Sequence, residues 1–258
     1  MIDVVNVTYH YGIQPVLRNV SLHVQSGDLV VLMGPNGMGK STLMSVMAGV
    51  IPPLKGYVDI DGKRRRRTPE EEMAVRKLVA YLPAEQWFPA TQTGREWMIA
   101  VGRLYQVDDD RLMDHAERLL EIFELKKQAD ASIGSHSTGQ KRKIALCCAL
   151  ISDAPVLLLD EPFSGGLDPT GLQAMKRIVQ RFAEQRERTV VIATPVPELV
   201  EDLPARIALI REGRIAGFDT LDGLRKLSGC SGKLDEVYTR LMSPECHETI
   251  ERYFGKPA

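Results

Sequence analysis

A chain of 258 residues with a formal net charge of −1 is long enough for one large α/β domain or two modest ones, and its charge gives no sign of a nucleic-acid binder. No run of about 18 apolar residues occurs, so no transmembrane helix is expected, and the opening MIDVVNVTYHYG lacks the basic-then-apolar pattern of a signal peptide, which points to a cytoplasmic protein. The four cysteines (Cys147, Cys148, Cys230 and Cys246) show no metal spacing; adjacent Cys147 and Cys148 lie in an apolar helical segment and read as buried, reduced thiols.

In chain order, Val4 to Tyr11 reads as a strand ended by Tyr11-Gly12, and Leu17 to Val24 as a second, with Ser26-Gly27-Asp28 turning the chain into the next. Leu29 to Met33 is an unbroken apolar run, as in a parallel strand covered on both faces. It leads into Gly34-Pro35-Asn36-Gly37-Met38-Gly39-Lys40-Ser41-Thr42, after which Leu43, Val46, Met47 and Val50 return at helical spacing. Gly34, Gly37 and Gly39 let successive backbone N–H groups point into one concavity at a helix N-terminus, which can wrap a phosphate chain. Lys40 supplies a positive charge for β- and γ-phosphates and Ser41 a hydroxyl for Mg²⁺. The strand, loop and helix together predict a nucleoside-triphosphate site, one per chain, because no second loop or internal repeat occurs.

Pro52-Pro53 breaks the chain, and Gly56 to Gly62 alternates like a hairpin arm. Lys63 to Arg67 is a run of five positive charges, read as a solvated loop, with contact to anionic lipid headgroups as the alternative. Thr93 to Leu125 has helical periodicity interrupted at Asp108 to Asp110, and a further helix follows Gly139 to about Ser152. Val156 to Leu159, Val190 to Ala193 and Ile207 to Ile210 are short, branched and apolar, as buried parallel strands should be. The first of these delivers Asp160 and Glu161 to the carboxyl end of a strand, where open α/β sheets bind ligands. Asp160 is placed to hold the hydration shell of Mg²⁺ and Glu161 to polarise an attacking water.

These stretches together resemble the nucleotide-binding subunit of an ATP-binding-cassette (ABC) transporter, over nearly all of residues 1–225. GPNGMGKST matches the Walker A motif, VLLLDEP the Walker B motif, and Ser137-Thr138-Gly139-Gln140 the signature usually written LSGGQ. SGGLD, Ser164 to Asp168, resembles the D-loop, and Tyr11 stands where the family places an aromatic that stacks on adenine. The resemblance implies an ABC ATPase fold: a P-loop NTPase core with a mostly parallel sheet, an antiparallel β subdomain and a helical insertion at about residues 88–152, followed by a tail at 226–258. It also implies ATP and Mg²⁺ as cofactors, attachment to the cytoplasmic face of a membrane through a transmembrane permease subunit, and head-to-tail pairing with a second ATP-binding subunit, like or unlike. In such a pair the Ser137–Gln140 signature of one chain caps the ATP held by the other. Thr93-Gly94-Arg95-Glu96 resembles the region that docks on the membrane partner, and LDEVYTRL, Leu234 to Leu241, resembles a segment of exporter-type members. A soluble member acting on ribosomes or DNA would need duplicated cassettes or a long coiled-coil insertion, and neither is present.

Three positions depart from the family. Pro83 is followed by Ala84 where a glutamine is usual, with Glu85 and Gln86 just beyond. Pro195 stands where a histidine contacts the γ-phosphate, and no histidine occurs between His136 and His247. One extra glycine, Gly165-Gly166, lengthens the D-loop. Proline offers neither a side-chain donor nor a backbone N–H. Two readings follow: a working transport ATPase using Glu161, or an ATP-binding but poorly hydrolysing subunit that regulates a complex.

Overall fold

The computed structural model of the chain describes residues 1–243 apart from 165 and 187, together with 245, 253 and 255. Strands β1 (Ile2–Tyr11), β2 (Gln14–Val24), β4 (Lys55–Ile60) and β5 (Lys63–Arg64) form an antiparallel sheet in the order β2-β1-β4-β5. A second sheet has the order β10-β9-β3-β8-β7-β6 and comprises β3 (Leu29–Met33), β6 (Val79–Leu82), β7 (Val156–Asp160), β8 (Thr189–Thr194), β9 (Arg206–Arg211) and β10 (Arg214–Thr220). All its pairings are parallel except that of β10 with β9.

The continuous apolar runs have a direct cause. Every residue of β3, β7 and β8 is buried, and alternate residues face two separate cores. Val31, Met33, Leu157, Leu159, Val190 and Ile192 face the core that also holds the helical arm. Val30, Leu32, Val156, Leu158, Val191 and Ala193 face the core closed by the antiparallel sheet and by helix α1 (Lys40–Ala48). Each such large apolar side chain contributes about 1.5–3 kcal/mol when buried, so the strands that carry the motifs lie in the best-anchored part of the molecule.

The helical insertion consists of α3 (Gly94–Leu104), α4 (Asp109–Ile122) and α5 (Thr138–Ile151). The break at Asp108 is an N-cap, its carboxylate accepting from the N–H groups of Asp110 and Arg111. Thr93 and Glu96 form a reciprocal capping box at the start of α3. Helices α6 (Pro169–Gln185), α7 (Leu221–Ser228) and α8 (Leu234–Met242) complete the described chain. No described helix is long and apolar enough to cross a membrane. Cys147 is buried and Cys148 half-buried, both free, and burial raises both thiols, Cys148 to about 12; Cys246 lies outside the described residues.

The basic run is only in part the solvated loop expected from its charge: Lys63, Arg66 and Arg67 are exposed. Arg65 is buried: its Nε donates to the Met47 carbonyl at 2.7 Å and its Nη1 to Glu72 Oε1 at 3.1 Å. Arg66 Nη2 donates to the Gly49 carbonyl at 2.7 Å, and Arg64 pairs with Asp59 and lies over the Tyr57 ring. Two arginines thus meet carbonyls at the C-terminal end of α1, where unpaired carbonyls and the helix dipole favour positive charge. Helix α2 (Pro69–Leu78), which carries Glu72, was not foreseen. Its N-cap Thr68, Pro69 at the first turn and Glu70 to Glu72 are nevertheless the residues that start a helix.

Candidate nucleotide site

The loop between β3 and α1 curls as its glycines require. Gly37 and Gly39 have φ of 80° and 100°, a region disfavoured for residues with a Cβ. At Gly34 the constraint is space, since an added Cβ would lie 2.4 Å from the Ile210 carbonyl oxygen. Helix α1 begins with no side-chain N-cap and no acidic residue in its first turn, so its leading N–H groups are left for an anion. Lys40 is buried inside the loop, with Nζ donating to the Gly34 carbonyl at 2.8 Å and the Pro35 carbonyl at 3.0 Å. Burial lowers its pKa, and the charges of Glu161 and Asp160 oppose that shift, which places Walker A and Walker B in one electrostatic unit.

Asp160 ends β7 fully buried. Burial raises its pKa, while the Ser41 hydroxyl, as a donor, pulls the other way; Glu161 raises it further and Lys40 and Arg142 lower it. Asp160 Oδ1 is buried and has no hydrogen-bond partner. An unpaired carboxylate oxygen of this kind is costly unless a cation or donor meets it, and beside the Ser41 hydroxyl it is a fit oxygen ligand for Mg²⁺.

Glu161 has φ of 49°, uncommon outside glycine, and three contacts hold it there. Its N–H donates to the Ala193 carbonyl at 2.8 Å, and its own carbonyl accepts from Ser164 and from Arg142 Nη2. Tyr11 lies at the end of β1, exposed, with its ring edge-on to Tyr9 at 5.0 Å, so its outer face is free for a planar group.

The signature opens α5 as expected, and its side chains have a definite task. Ser137 Oγ accepts from the Gln140 N–H at 3.3 Å, and Gln140 Oε1 accepts from the Ser137 N–H at 2.9 Å, a capping box. Thr138 and Gly139 follow in the first turn. An added Cβ on Gly139 would sit 2.5 Å from the Gly166 carbonyl oxygen, so signature and D-loop are in close approach within one chain. Lys143 Nζ to Asp168 Oδ2 at 2.8 Å ties the same two segments, and Asp168 also caps α6 through the Gly171 N–H. The effect of the extra glycine falls on Gly165, which lies outside the described residues.

Two of the three departures, at Ala84 and Pro195, lie wholly within the described residues. Gln86 Nε2 donates to the carbonyls of Pro83 at 2.6 Å and Ala84 at 2.9 Å, so its amide is engaged by its own loop, and Glu85 is exposed. Pro195 follows β8, with the Val196 N–H turned to Thr194 Oγ1 at 3.2 Å.

Arg142, in Lys141-Arg142-Lys143 just after the signature, carries no local motif and went unread in the sequence. It is 3% exposed and spans the site. Its Nη1 donates to the Pro83 and Ala84 carbonyls at 3.3 and 3.2 Å, and its Nη2 to the Asp160 carbonyl at 2.9 Å and to that of Glu161. Burial lowers its pKa against the raising charges of Asp160 and Glu161. It therefore acts as a positioning residue between the signature helix, the loop after β6 and the end of β7. Arg142→Lys, which keeps the charge but loses the fork, is expected to cut turnover about tenfold with ATP affinity within about threefold of wild type. Parallel loss of binding and of melting temperature would instead make the role purely structural.

With this geometry established, comparison with known proteins places the chain. A family profile described as "ABC transporter" matches residues 17–164. The chain is 34% identical over 214 residues to the Nod factor export ATP-binding protein I of Burkholderia lata, covering 83% of this chain and 68% of that protein. It is 27% identical over 226 residues to the bacitracin transport ATP-binding protein BcrA of Bacillus licheniformis, covering 88% of this chain and 72% of the relative. Among solved structures, an ATP-binding subunit of an ABC transporter superposes with a TM-score of 0.84 at 27% identity, covering 93% of this chain and 99% of that one. The ATP-binding cassette MJ0796, in a dimeric post-hydrolysis state with ADP and Pi, gives a TM-score of 0.76 at 25% identity, covering 86% and 99%. A mostly parallel sheet with a phosphate loop, an acidic strand end and a helical arm defines an ATP-binding cassette ATPase. The chain belongs to the ABC transporter family.

Proposed function

We propose that this chain binds ATP with Mg²⁺ at residues 34–42 and hydrolyses it to drive export by a separate transmembrane permease subunit, from the cytoplasmic face of the membrane. The observation that carries this reading is the convergence of Lys40, the unpaired oxygen of Asp160 and the constrained Glu161 at the carboxyl edge of one parallel sheet. Backbone N–H groups of the loop and Lys40 hold the phosphates, and Tyr11 offers its exposed face to adenine. Ser41 and Asp160 hold Mg²⁺, which neutralises charge on the phosphates when bound. Glu161 orients and deprotonates the attacking water. Export is supported by the exporter-like segment at Leu234 to Leu241 and by the Nod factor export relatives. Residues 1–225 form the cassette and 226–258 its tail.

Two chains, like or unlike, close head to tail on ATP, the signature helix of one meeting the phosphates held by the other. The dimeric state of the related cassette favours this assembly. Sedimentation of Glu161→Gln tests it. The chain is expected to be monomeric without nucleotide and dimeric with saturating MgATP. A monomer under both conditions would require an unlike partner, and a tight dimer without nucleotide would remove ATP as the glue.

Two features favour a slow engine. Pro195 supplies no donor, and Gln86 is engaged within its own loop. Turnover below the roughly 10 s⁻¹ typical of enzymes follows, with binding intact.

A further inference from the structure

Away from the nucleotide site, α4 and α6 enclose an open cleft of about 650 Å³. Its floor is apolar, with Ile122, Ile178 and Phe182 among the lining side chains. Its lining also includes five arginines, Arg111, Arg118, Arg177, Arg181 and Arg188, against two aspartates, Asp114 and Asp153.

Both acids are ion-paired with arginines of the lining, although Asp153 Oδ2, buried, makes no hydrogen bond. Asp153 accepts from Arg188 at 2.6 Å and pairs with Arg111 at 3.0 Å, and Asp114 pairs with Arg118 at 2.6 Å. Arg177 and Arg181, one turn apart on α6, are exposed and form no hydrogen bond or ion pair with any described residue. His115 Nδ1, buried at the same cleft, makes no hydrogen bond and faces Asp153 Oδ1 at 3.9 Å. With Arg111, Arg118 and Arg188 paired to Asp153 and Asp114, Arg177 and Arg181 remain as two like charges one turn apart beside an apolar hollow, and guanidinium forks bind carboxylate, sulfonate or phosphate groups in a bidentate manner. The volume falls within the range of about 300–1,000 Å³ usual for small-molecule sites.

We propose that this cleft is a binding site for an amphiphilic organic anion, its acidic group held by Arg177 and Arg181 and its apolar body laid on the floor between α4 and α6. None of the lining residues belongs to the nucleotide site, so the cleft is a second site on the chain.

The test uses the full chain saturated with MgADP, so that the phosphate loop is filled. The probes are 1-anilinonaphthalene-8-sulfonate and its uncharged analogue N-phenyl-1-naphthylamine. The sulfonate is expected to bind one per chain and at least about tenfold more tightly than the uncharged dye. The double variant Arg177→Glu/Arg181→Glu should lose at least about tenfold in sulfonate affinity, with dye-independent ATP turnover unchanged. Arg177→Gln/Arg181→Gln should fall between, guarding against misfolding caused by charge reversal. Equal binding of both dyes, or sulfonate affinity unchanged in the double variants, would overturn the site. Binding of poly-L-glutamate at this cleft with none of the sulfonate would overturn the small-molecule assignment in favour of an acidic polypeptide.

Discussion

Lys40→Ala is expected to weaken ATP binding by at least about tenfold, because the lost group is a desolvated charge aimed at phosphate oxygens. The lysine is already in place: buried, anchored by the carbonyls of Gly34 and Pro35, and flanked electrostatically by Asp160 and Glu161. Its removal does more than delete one attraction. Two carboxylates are left facing a polyphosphate with no protein cation between them, so the loss should be larger without Mg²⁺ than with it. Equilibrium titration of ATP against wild type and variant checks this. Unchanged affinity would move the nucleotide away from the loop altogether.

Pro195→His is expected to raise turnover with little change in ATP affinity. A histidine there would restore a side-chain donor beside the γ-phosphate, and a single preorganised donor is worth about 10²–10³ in rate. Selective improvement of turnover is the pattern of a contact made mainly in the transition state. The gain should fall short of the full range, because Ala84 brings no water-positioning amide and Gln86 donates to its own loop. Adding Ala84→Gln should then act more than additively, as neighbours in one site do. Steady-state phosphate release decides between outcomes. Wild-type turnover at ordinary rates, unmoved by Pro195→His, would show another group doing the histidine's work and remove the slow-engine reading.

What could be read from residues alone follows from locality. β3, β7 and β8 are legible because burial on both faces leaves no polar alternation to confuse the pattern. The phosphate loop is legible because its glycines, lysine and serine are adjacent in sequence and in space. The helical arm is legible from its periodicity and from the break at Asp108, while the caps that start its helices, Thr93, Asp108 and Ser137, are seen in the structure.

The failures are long-range. Arg65 reads as one charge in a solvated run, and what buries it is the end of α1, 18 residues earlier. Arg142 belongs to no local motif, and it bonds to carbonyls 58 and 59 residues before it and 18 and 19 after it. No periodicity encodes a partner so distant. The close approach of Gly139 to Gly166 is hidden for the same reason. Helix α2 is a different case, since Thr68, Pro69 and the three glutamates after it were a local signal that the charged run beside them obscured.

The assignment of Glu161 as the group that activates water is tested most directly by phosphate release from MgATP in wild type and Glu161→Gln, with ATP affinity measured on the same samples. The account predicts that the wild type releases phosphate, that the variant binds ATP as tightly, and that its release falls by at least about 10². Release persisting in Glu161→Gln at the wild-type rate, with ATP bound, would contradict it.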